Sequence, residues 1–372
     1  MKYIGQSVPR IDAAAKVKGE AVFASDMVMP GQAYMKMLFA RRPHAIVKSV
    51  DTTAAETLPG VLLVLTSRDV PNNEFGYYTY DQPVLCGPSA KPYADRVRYV
   101  GDRVAAVVAE TEAIAAKARD LIRVEYEDLP VVCDAEAAMA PDAIVLHPDV
   151  GSNMFCHHKL YNGDVETGFK EADVVVESAL NTPAQEHAYL QTESGLAYID
   201  EDGRVAVVTT GQWGEKDRKQ MAHALDLAED RVRVIYPMTG GAFGGREDIS
   251  VQIIVALAVL KLQSLGKPRP VKVTWTREES ILAHCKRHPF RFYTRWGAMK
   301  DGKITAAEVK MIADGGAYKF TTSIVTNNAL INCLGPYEIP NVKVDAYDVY
   351  TNNVPRGAFR GFGGPQAVYC AE

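Results

Sequence analysis

A glycine-rich segment, TGGAFGGRED at residues 239–248, constrains the fold of this chain more than any other stretch. Residues 231–238 before it predict a strand, and residues 249–266 after it predict a buried helix that ends at Gly266. Glycines allow positive φ and leave backbone N–H groups open to a ligand, and a helix N-terminus adds positive potential. The order strand, glycine loop, helix therefore favours an anion or oxo group at the loop, with an ordinary turn as the alternative.

The spacing of these glycines separates the loop from the common nucleotide-binding motifs. TGGAFGGRED fits neither the GxGxxG fingerprint of dinucleotide-binding folds nor the GxxxxGK[ST] pattern of phosphate-binding loops. An enzyme that holds a nucleotide cofactor at this loop is disfavoured, because it would also need an acidic partner for the ribose on the next strand. Residues elsewhere in the chain must therefore indicate what the loop binds.

Charge and hydropathy exclude several classes of partner. The net charge of −5 over 372 residues provides no positive field for nucleic acid or an anionic membrane. The longest apolar run, residues 253–260, is too short to cross a bilayer, and residues 1–10 contain no apolar signal segment. We therefore expect a cytoplasmic protein that binds a small-molecule substrate, with no nucleic acid and no membrane partner.

The cysteine and histidine residues show no spacing typical of a metal site. The chain has six cysteines and no CxxC pair, so neither a zinc site nor an iron–sulfur cluster is predicted. If the protein carries out redox chemistry, its iron–sulfur clusters would lie on another chain. His157 and His158 are adjacent, so their side chains point apart on a strand or a helix. With no third ligand nearby, solvated or structural histidines are favoured over a metal site.

Hydrophobic periodicity divides the chain into two units of mixed sheet and helix. Residues 1–135 predict short strands and a helix, including a strand pair that turns at residues 101–102. The pattern loosens over residues 134–158, which indicates a joint between domains. Beyond the joint, the chain predicts helices, long strands with a hairpin turn at residues 301–302, and a second glycine-rich turn at residues 355–366.

Both glycine loops carry a central phenylalanine, and four further segments accompany them. These six segments are TGGAFGGRE, GAFRGFGGPQ, QEHAYLQTESG, VTWTREES, CKRHP and DGGAY. Together they resemble the molybdenum-cofactor subunit of the xanthine dehydrogenase and aldehyde oxidase family. Nearer the N-terminus, the order of a further set of segments is similar to that of the family's small hammerhead domain: GEAVFASD, RRPHAIVKSVD, LPGVLLVLT, YVGDRVAAVVAE and VEYEDLP. The resemblance covers nearly the whole chain.

The resemblance implies an α+β fold in two parts. Residues 1–135 would form an α/β hammerhead domain, and residues 136–372 a mixed α+β domain, the first molybdopterin cofactor-binding domain. The second half of the family's cofactor region is absent, and the final residues AVYCAE predict a helix that has just begun. Either a second molybdopterin-binding subunit or the remainder of a longer chain would complete the cofactor cleft, and the sequence fits both.

Matching the family's motifs residue by residue implies a set of cofactor contacts. The matching residues are Gln212, Gly241, Ala242, Phe243, Gly244 and Arg360. Of these, the Gln212 side chain, the Phe243 backbone N–H and Arg360 would surround the molybdenum, with no protein ligand to the metal itself. The alternatives are a strand-end glutamine in solvent for Gln212 and a structural salt bridge for Arg360.

The resemblance also implies three substrate contacts, at Glu247, Asn328 and Phe362. Glu247 matches a glutamate that contacts substrate in purine-oxidising members, although a helix-capping carboxylate fits the same position. Phe362 matches an aromatic residue that stacks on planar substrates. Asn328 stands where purine hydroxylases carry an arginine, which argues against xanthine as the substrate. No catalytic residue is assigned in this chain, because the family's general-base glutamate would lie beyond Glu372 or on a partner.

The function implied by the resemblance is that of a molybdopterin-binding subunit of a xanthine dehydrogenase-like, molybdenum-dependent oxidoreductase. Such an enzyme hydroxylates an electron-poor carbon of a purine-like or other aromatic N-heterocycle and passes electrons to [2Fe-2S] clusters and FAD on partner subunits. The cofactor would be molybdenum–molybdopterin in its cytosine dinucleotide form, the assembly a hetero-oligomer, and the isolated chain inactive. The alternatives are an aldehyde oxidoreductase, an aromatic acyl-CoA reductase and a non-catalytic scaffold.

Overall fold

A computed structural model describes residues 3–372 and contains both sheets and helices throughout. The strands are β1 Ala33–Phe39, β2 Ala45–Asp51, β3 Val61–Leu65, β4 Arg96–Val97, β5 Arg103–Ala109, β6 Arg123–Asp128, β7 Met154–Asn162, β8 Val174–Asn181, β9 Ser194–Ile199, β10 Val205–Thr209, β11 Val232–Ile235, β12 Val271–Thr274, β13 Lys286–Arg287, β14 Phe290–Ala298, β15 Ile304–Gly316, β16 Asn341–Tyr350 and β17 Arg356–Gly357. The helices are α1 Ala13–Lys18, α2 Thr53–Glu56, α3 Glu112–Arg119, α4 Ala135–Ala138, α5 Val165–Glu171, α6 Gly214–Leu225, α7 Gln252–Ser264, α8 Arg277–Ala283, α9 Thr322–Asn332 and α10 Gly364–Ala371. The predicted α+β fold class is confirmed.

The largest sheet combines strands from distant parts of the chain. Its order is β11-β10-β9-β12-β1-β5-β3, and β1 pairs in parallel with β12, with Met35 opposite Val273. Strands that precede residue 135 therefore share one sheet with strands that follow it. The division into units of 1–135 and 136–372 stays a prediction, and the hydrogen-bonded ladder crosses that division.

Helix α7 covers this sheet, as the sequence predicts. The helix is apolar on all sides, and nine of its residues are buried, which is typical of a helix in the interior of a domain. Its Ile254 and Val255 belong to the same apolar cluster as Met35 and Phe39 of β1. The predicted end of the helix is also confirmed, because Gly266 adopts a positive φ of 71° just after the last turn.

The predicted strand pair around residues 101–102 is wrong. β4 pairs with β2, whereas β5 pairs with β1 and β3 in the large sheet. The Asp102 carboxylate accepts hydrogen bonds from the backbone N–H groups of Arg98 and Tyr99, so it holds the turn in which the chain leaves one sheet for the other. Alternation of apolar residues indicates two strands but carries no information about their partners.

A second, five-stranded sheet has the order β7-β16-β15-β14-β8. The predicted hairpin at residues 301–302 connects β14 to β15, and Gly302 has the positive φ of 90° that the turn requires. One face of the sheet packs against α9 and α10 in a shared apolar cluster that includes Phe292, Val325 and Ala367. α10 begins within the second glycine-rich turn, and Asn328 of α9 donates a hydrogen bond to it.

The predicted joint at residues 134–158 is ordered by a buried asparagine. The Asn153 side chain accepts a hydrogen bond from the Leu146 N–H and donates to the carbonyls of Ala138 and Ile144.

No helix among residues 3–372 is both long enough and apolar enough to cross a membrane.

Candidate cofactor-binding site

The first glycine loop leaves several of its backbone N–H groups free. Gly241, Phe243 and Gly244 all have positive φ, at 105°, 54° and 101°. Among residues 3–372, the N–H groups of Gly241, Ala242 and Phe243 have no hydrogen-bond acceptor. Successive free N–H groups of residues that alternate between right-handed and left-handed backbone conformations form a concave site for anions. The loop thus fits an anionic or oxo ligand, as the sequence predicts.

The helix expected directly after this loop begins later than the sequence suggests. A short 3-10 turn, Gly245–Glu247, follows the loop, and α7 starts only at Gln252. The N-terminal potential of a helix falls off within its first turn. The helix predicted from residue 249 therefore begins three residues later, and the free N–H groups are the donors that the loop itself offers to an anion.

Gln212 is bound to the glycine loop. Its side-chain Oε1 accepts from the N–H groups of Gly244 at 3.0 Å and Arg246 at 3.3 Å, and its backbone N–H donates to the Arg246 carbonyl at 2.9 Å. The alternative of a strand-end glutamine in solvent does not account for these contacts. Within the described residues, the Gln212 Nε2 has no acceptor, so the amide that closes the loop retains donors for a ligand.

The two glycine loops meet through their backbones. The N–H of Arg360 donates to the Phe243 carbonyl at 2.8 Å, which brings the second loop beside the first. The Arg360 side chain is exposed and forms no ion pair with any of residues 3–372. The salt-bridge alternative for Arg360 therefore has no partner in this part of the chain, and the guanidinium is available to an anionic or polar group.

A buried arginine that the sequence did not mark supports the first loop. Arg246 is 4% exposed, donates to the Gly241 carbonyl at 2.9 Å, and bonds to Thr210 and Gln191. Its guanidinium carbon also lies 4.1 Å from the centre of the Tyr189 ring. These contacts fix the backbone on which Phe243 is carried. The position of Arg246 inside the TGGAFGGRE motif could have indicated its importance. Only the fold shows that its side chain points into the protein.

Two buried histidines form hydrogen bonds with the backbones of the two glycine loops. His284 Nε2 lies 2.8 Å from the Gly245 carbonyl, and His187 Nε2 lies 2.7 Å from the Ala358 carbonyl. The two rings are 5.5 Å apart. Burial lowers the pKa of each histidine to about 4, so each ring stays neutral and donates one N–H to its carbonyl. Neither histidine was predicted as a site residue.

The residues assigned to substrate binding lie on both loops and on α9. Phe362 is 40% exposed, so its ring is available to a planar ligand. The ring of Phe243, which was assigned to the cofactor, is 48% exposed. Asn328 Nδ2 donates to the carbonyls of Gly361 at 3.2 Å and Phe362 at 2.8 Å. The amide of Asn328 thus shapes the second loop, and it carries no charge that could substitute for an arginine.

Glu247 is a partly buried acid near the C-terminal end of the first loop. Burial raises its pKa, and its carboxylate has no hydrogen-bond partner among residues 3–372. It does not cap α7, whose N-cap residue is Val251 and lacks a side-chain cap.

Two family models match this chain. Residues 146–372 match the molybdopterin cofactor-binding domain, and residues 18–130 match the aldehyde oxidase and xanthine dehydrogenase a/b hammerhead domain. The first match includes both glycine loops and Gln212. The two matched domains are those of a molybdopterin-binding protein. The chain belongs to the xanthine dehydrogenase and aldehyde oxidase family, as a molybdopterin-binding subunit.

Individual relatives agree with this assignment. The chain is 42% identical to a probable xanthine dehydrogenase subunit of Bacillus subtilis (98% of this chain, 47% of that protein). It is 38% identical to the nicotinate dehydrogenase large molybdopterin subunit of Eubacterium barkeri (99% of this chain, 84% of that protein). The solved structure of the Desulfovibrio gigas aldehyde oxidoreductase superimposes with a TM-score of 0.90 at 29% identity (99% of this chain, 41% of that chain). This chain therefore spans about half the length of the Bacillus relative.

Proposed function

We propose that this chain forms one wall of the cofactor cleft in a molybdenum hydroxylase that acts on an aromatic N-heterocycle. The observation that carries the proposal is Glu247. A carboxyl group whose pKa is raised by burial, and which has no partner among residues 3–372, can share a proton with a ring nitrogen. An aldehyde substrate has no such nitrogen and would leave Glu247 without a partner.

The residues around the glycine loops fit an anionic pterin cofactor. The free N–H groups of Ala242 and Phe243, the Gln212 amide and the Arg360 guanidinium are all hydrogen-bond donors. When bound, the molybdenum cofactor would supply oxygen transfer to the substrate and accept two electrons. Within the proposal, this chain orients the cofactor and the substrate ring, and its molybdopterin is the cytosine dinucleotide form.

The substrate is proposed to be an N-heterocycle other than xanthine. Asn328 stands where purine hydroxylases have an arginine, and its amide is engaged by the second loop. A neutral side chain there cannot stabilise negative charge that builds up on a purine ring. The similarity to a subunit of a nicotinate dehydrogenase, whose name denotes a pyridine carboxylate, supports the same class of substrate.

The remaining partners follow from this proposal. A second molybdopterin-binding subunit or region would provide the opposite wall of the cleft and the general-base glutamate. Electrons would leave through [2Fe-2S] and FAD subunits in a hetero-oligomer. Measurement of molybdenum, iron and flavin in the untagged complex tests this assembly. A metal-free complex would contradict the proposal and favour the non-catalytic scaffold.

Substitution of Glu247 by glutamine tests the substrate class. We expect kcat/KM for nicotinate to fall about 10- to 100-fold, the range for loss of one hydrogen bond to a charged group, with a much smaller effect on a simple aldehyde. Glu201→Gln, in an exposed turn, is the matched control and should leave both activities unchanged. Equal losses on both substrates would favour the alternative, an aldehyde oxidoreductase.

A further inference from the structure

A group of side chains with metal-binding chemistry lies on the five-stranded sheet, outside the two glycine loops. Cys156 and His158 are two residues apart on β7 and therefore project from the same face. Asp348 of β16 is directly opposite Cys156 in the antiparallel ladder. The cysteine sulfur, a histidine ring nitrogen and a carboxylate oxygen lie within 4.8 Å of one another. Asp348 stands 190 residues after His158, so the spacing of residues in the sequence gave no sign of this third group.

The Asp348 carboxylate is fully buried and only half satisfied. Its exposed fraction is 0%, and its Oδ2 lies 3.0 Å from His158 Nε2 and 2.8 Å from the Ser323 hydroxyl. Its Oδ1 has no hydrogen-bond partner among residues 3–372. A buried carboxylate oxygen without a partner is costly, and a cation that contacts it would offset the cost.

The adjacent residue His157 forms an ordinary ion pair on the same strand, which serves as a comparison for His158. His157 projects from the opposite face, where its Nε2 lies 2.7 Å from Asp345 Oδ1 and its ring stacks on Tyr347. The same Asp345 oxygen also accepts from the Tyr161 hydroxyl at 2.6 Å. That pair has no sulfur beside it and is partly exposed. An ion pair alone therefore accounts for His157 but leaves Asp348 Oδ1 without a partner among residues 3–372.

We propose that Cys156, His158 and Asp348 bind one zinc ion. Sulfur, imidazole nitrogen and carboxylate oxygen are the three ligand types that zinc takes in proteins, and three ligands leave a fourth position for water. On binding, the Cys156 thiol proton passes to solvent, and the His158 nitrogen that ligates zinc gives up any proton it carries to the other ring nitrogen or to solvent. One neutral imidazole, one thiolate and one carboxylate then balance the charge of Zn²⁺. Cys156 is partly exposed, which provides a route of entry for the ion.

The zinc ion would fasten α9 to the sheet beneath it. Ser323, which donates to Asp348, lies in the first turn of α9, and Asn328 further along the same helix holds the loop that carries Phe362. Ser323 would then orient a ligating carboxylate, which is a common arrangement around protein-bound metals. The role is structural and does not depend on the substrate proposed above.

Cobalt substitution tests the site in the chelator-treated native complex. Co²⁺ added to the wild type should give a near-ultraviolet thiolate-to-cobalt charge-transfer band at one ion per chain. Cys156→Ser should abolish the band, as should His158→Gln. Ser323→Ala should weaken binding by about 10- to 100-fold, the usual effect of losing a residue that orients a metal ligand.

Matched controls separate this site from surface binding. Cys133→Ser removes an exposed cysteine, and His157→Gln removes the adjacent histidine, so both should keep the band. Zn²⁺ should raise the Tm of the wild type and not that of Cys156→Ser, whose far-ultraviolet circular dichroism reports whether it is folded. A band that survives in folded Cys156→Ser, or a folded wild type that gives no band, would overturn the proposal.

Discussion

The buried carboxyl group of Asp217 should make the free energy of unfolding depend on pH, and a single substitution can test this. Asp217 is 1% exposed, and its Oδ2 accepts from the Tyr236 hydroxyl at 2.6 Å and from Gln252 Nε2 at 3.0 Å. Burial, opposed by these two hydrogen bonds, raises its pKa from 3.8 to about 7. The folded protein therefore holds this proton up to about pH 7, whereas the unfolded chain releases it near pH 4.

Because the unfolded state binds fewer protons between these values, raising the pH from 4 to 7 should destabilise the fold through Asp217, by up to about 4 kcal/mol. Asp217→Asn keeps an acceptor for both donors and cannot ionise. We expect the free energy of unfolding of this variant to fall less over that pH range than in the wild type. Urea denaturation at several pH values measures the difference, and parallel curves for the two proteins would contradict the prediction.

At the scale of one element, the first glycine loop depends on close contact with the second. A Cβ on Gly244 would lie 2.8 Å from the Ala358 carbonyl oxygen, and the φ of 101° is unfavourable for any side chain. We expect Gly244→Val to force the loops apart and to abolish molybdenum retention while the chain stays folded. Molybdenum per chain, measured beside far-ultraviolet circular dichroism, reports both effects.

The β14–β15 turn provides a matched control for this substitution. Gly302 has a similar φ of 90°, but no atom lies within 4 Å of the position that its Cβ would occupy. Gly302→Val therefore introduces comparable backbone strain without a steric clash between loops, and it should retain molybdenum. Full molybdenum occupancy in Gly244→Val would show that the cofactor does not need the close approach of the two loops.

At the scale of the whole molecule, the shared sheet couples the two halves of the chain. Phe39 of β1 is 6% exposed and packs edge-on against Trp275, just after β12, with ring centres 5.5 Å apart. Phe39→Ala should therefore destabilise both halves together, by about 3–5 kcal/mol, the usual range for loss of a buried aromatic ring. If the two halves folded independently, Phe39→Ala would lower the free energy of unfolding of the N-terminal half only.

Urea unfolding followed by tryptophan fluorescence and by circular dichroism distinguishes these outcomes. We expect coincident transitions in the wild type and in Phe39→Ala, with a lower midpoint in the variant. Val17→Ala, at a position that is 86% exposed in α1, should leave the midpoint unchanged. Two separate transitions, with only one shifted by Phe39→Ala, would contradict the coupling.

Local features of this chain were predictable because their causes are local. The buried helix α7 follows from an apolar run, the hairpin at residues 301–302 from an Asp-Gly turn, and the open glycine loop from residues that tolerate positive φ. Motif resemblance added the family, since Gln212 and the two loops match it in order. Each of these signals is contained in a few consecutive residues.

Tertiary structure decided which of these segments meet. The β4–β2 pairing, the parallel β1–β12 contact and the bond from Arg360 N–H to the Phe243 carbonyl join residues far apart in sequence. The same applies to Arg246 under the loop and to Asp348 beside Cys156. Periodicity and turn chemistry fix the conformation of a segment, but its partners depend on which strand edges and buried polar groups remain unsatisfied in the folded chain. The sequence by itself therefore determined the elements and the family, and the packing of distant elements decided the site.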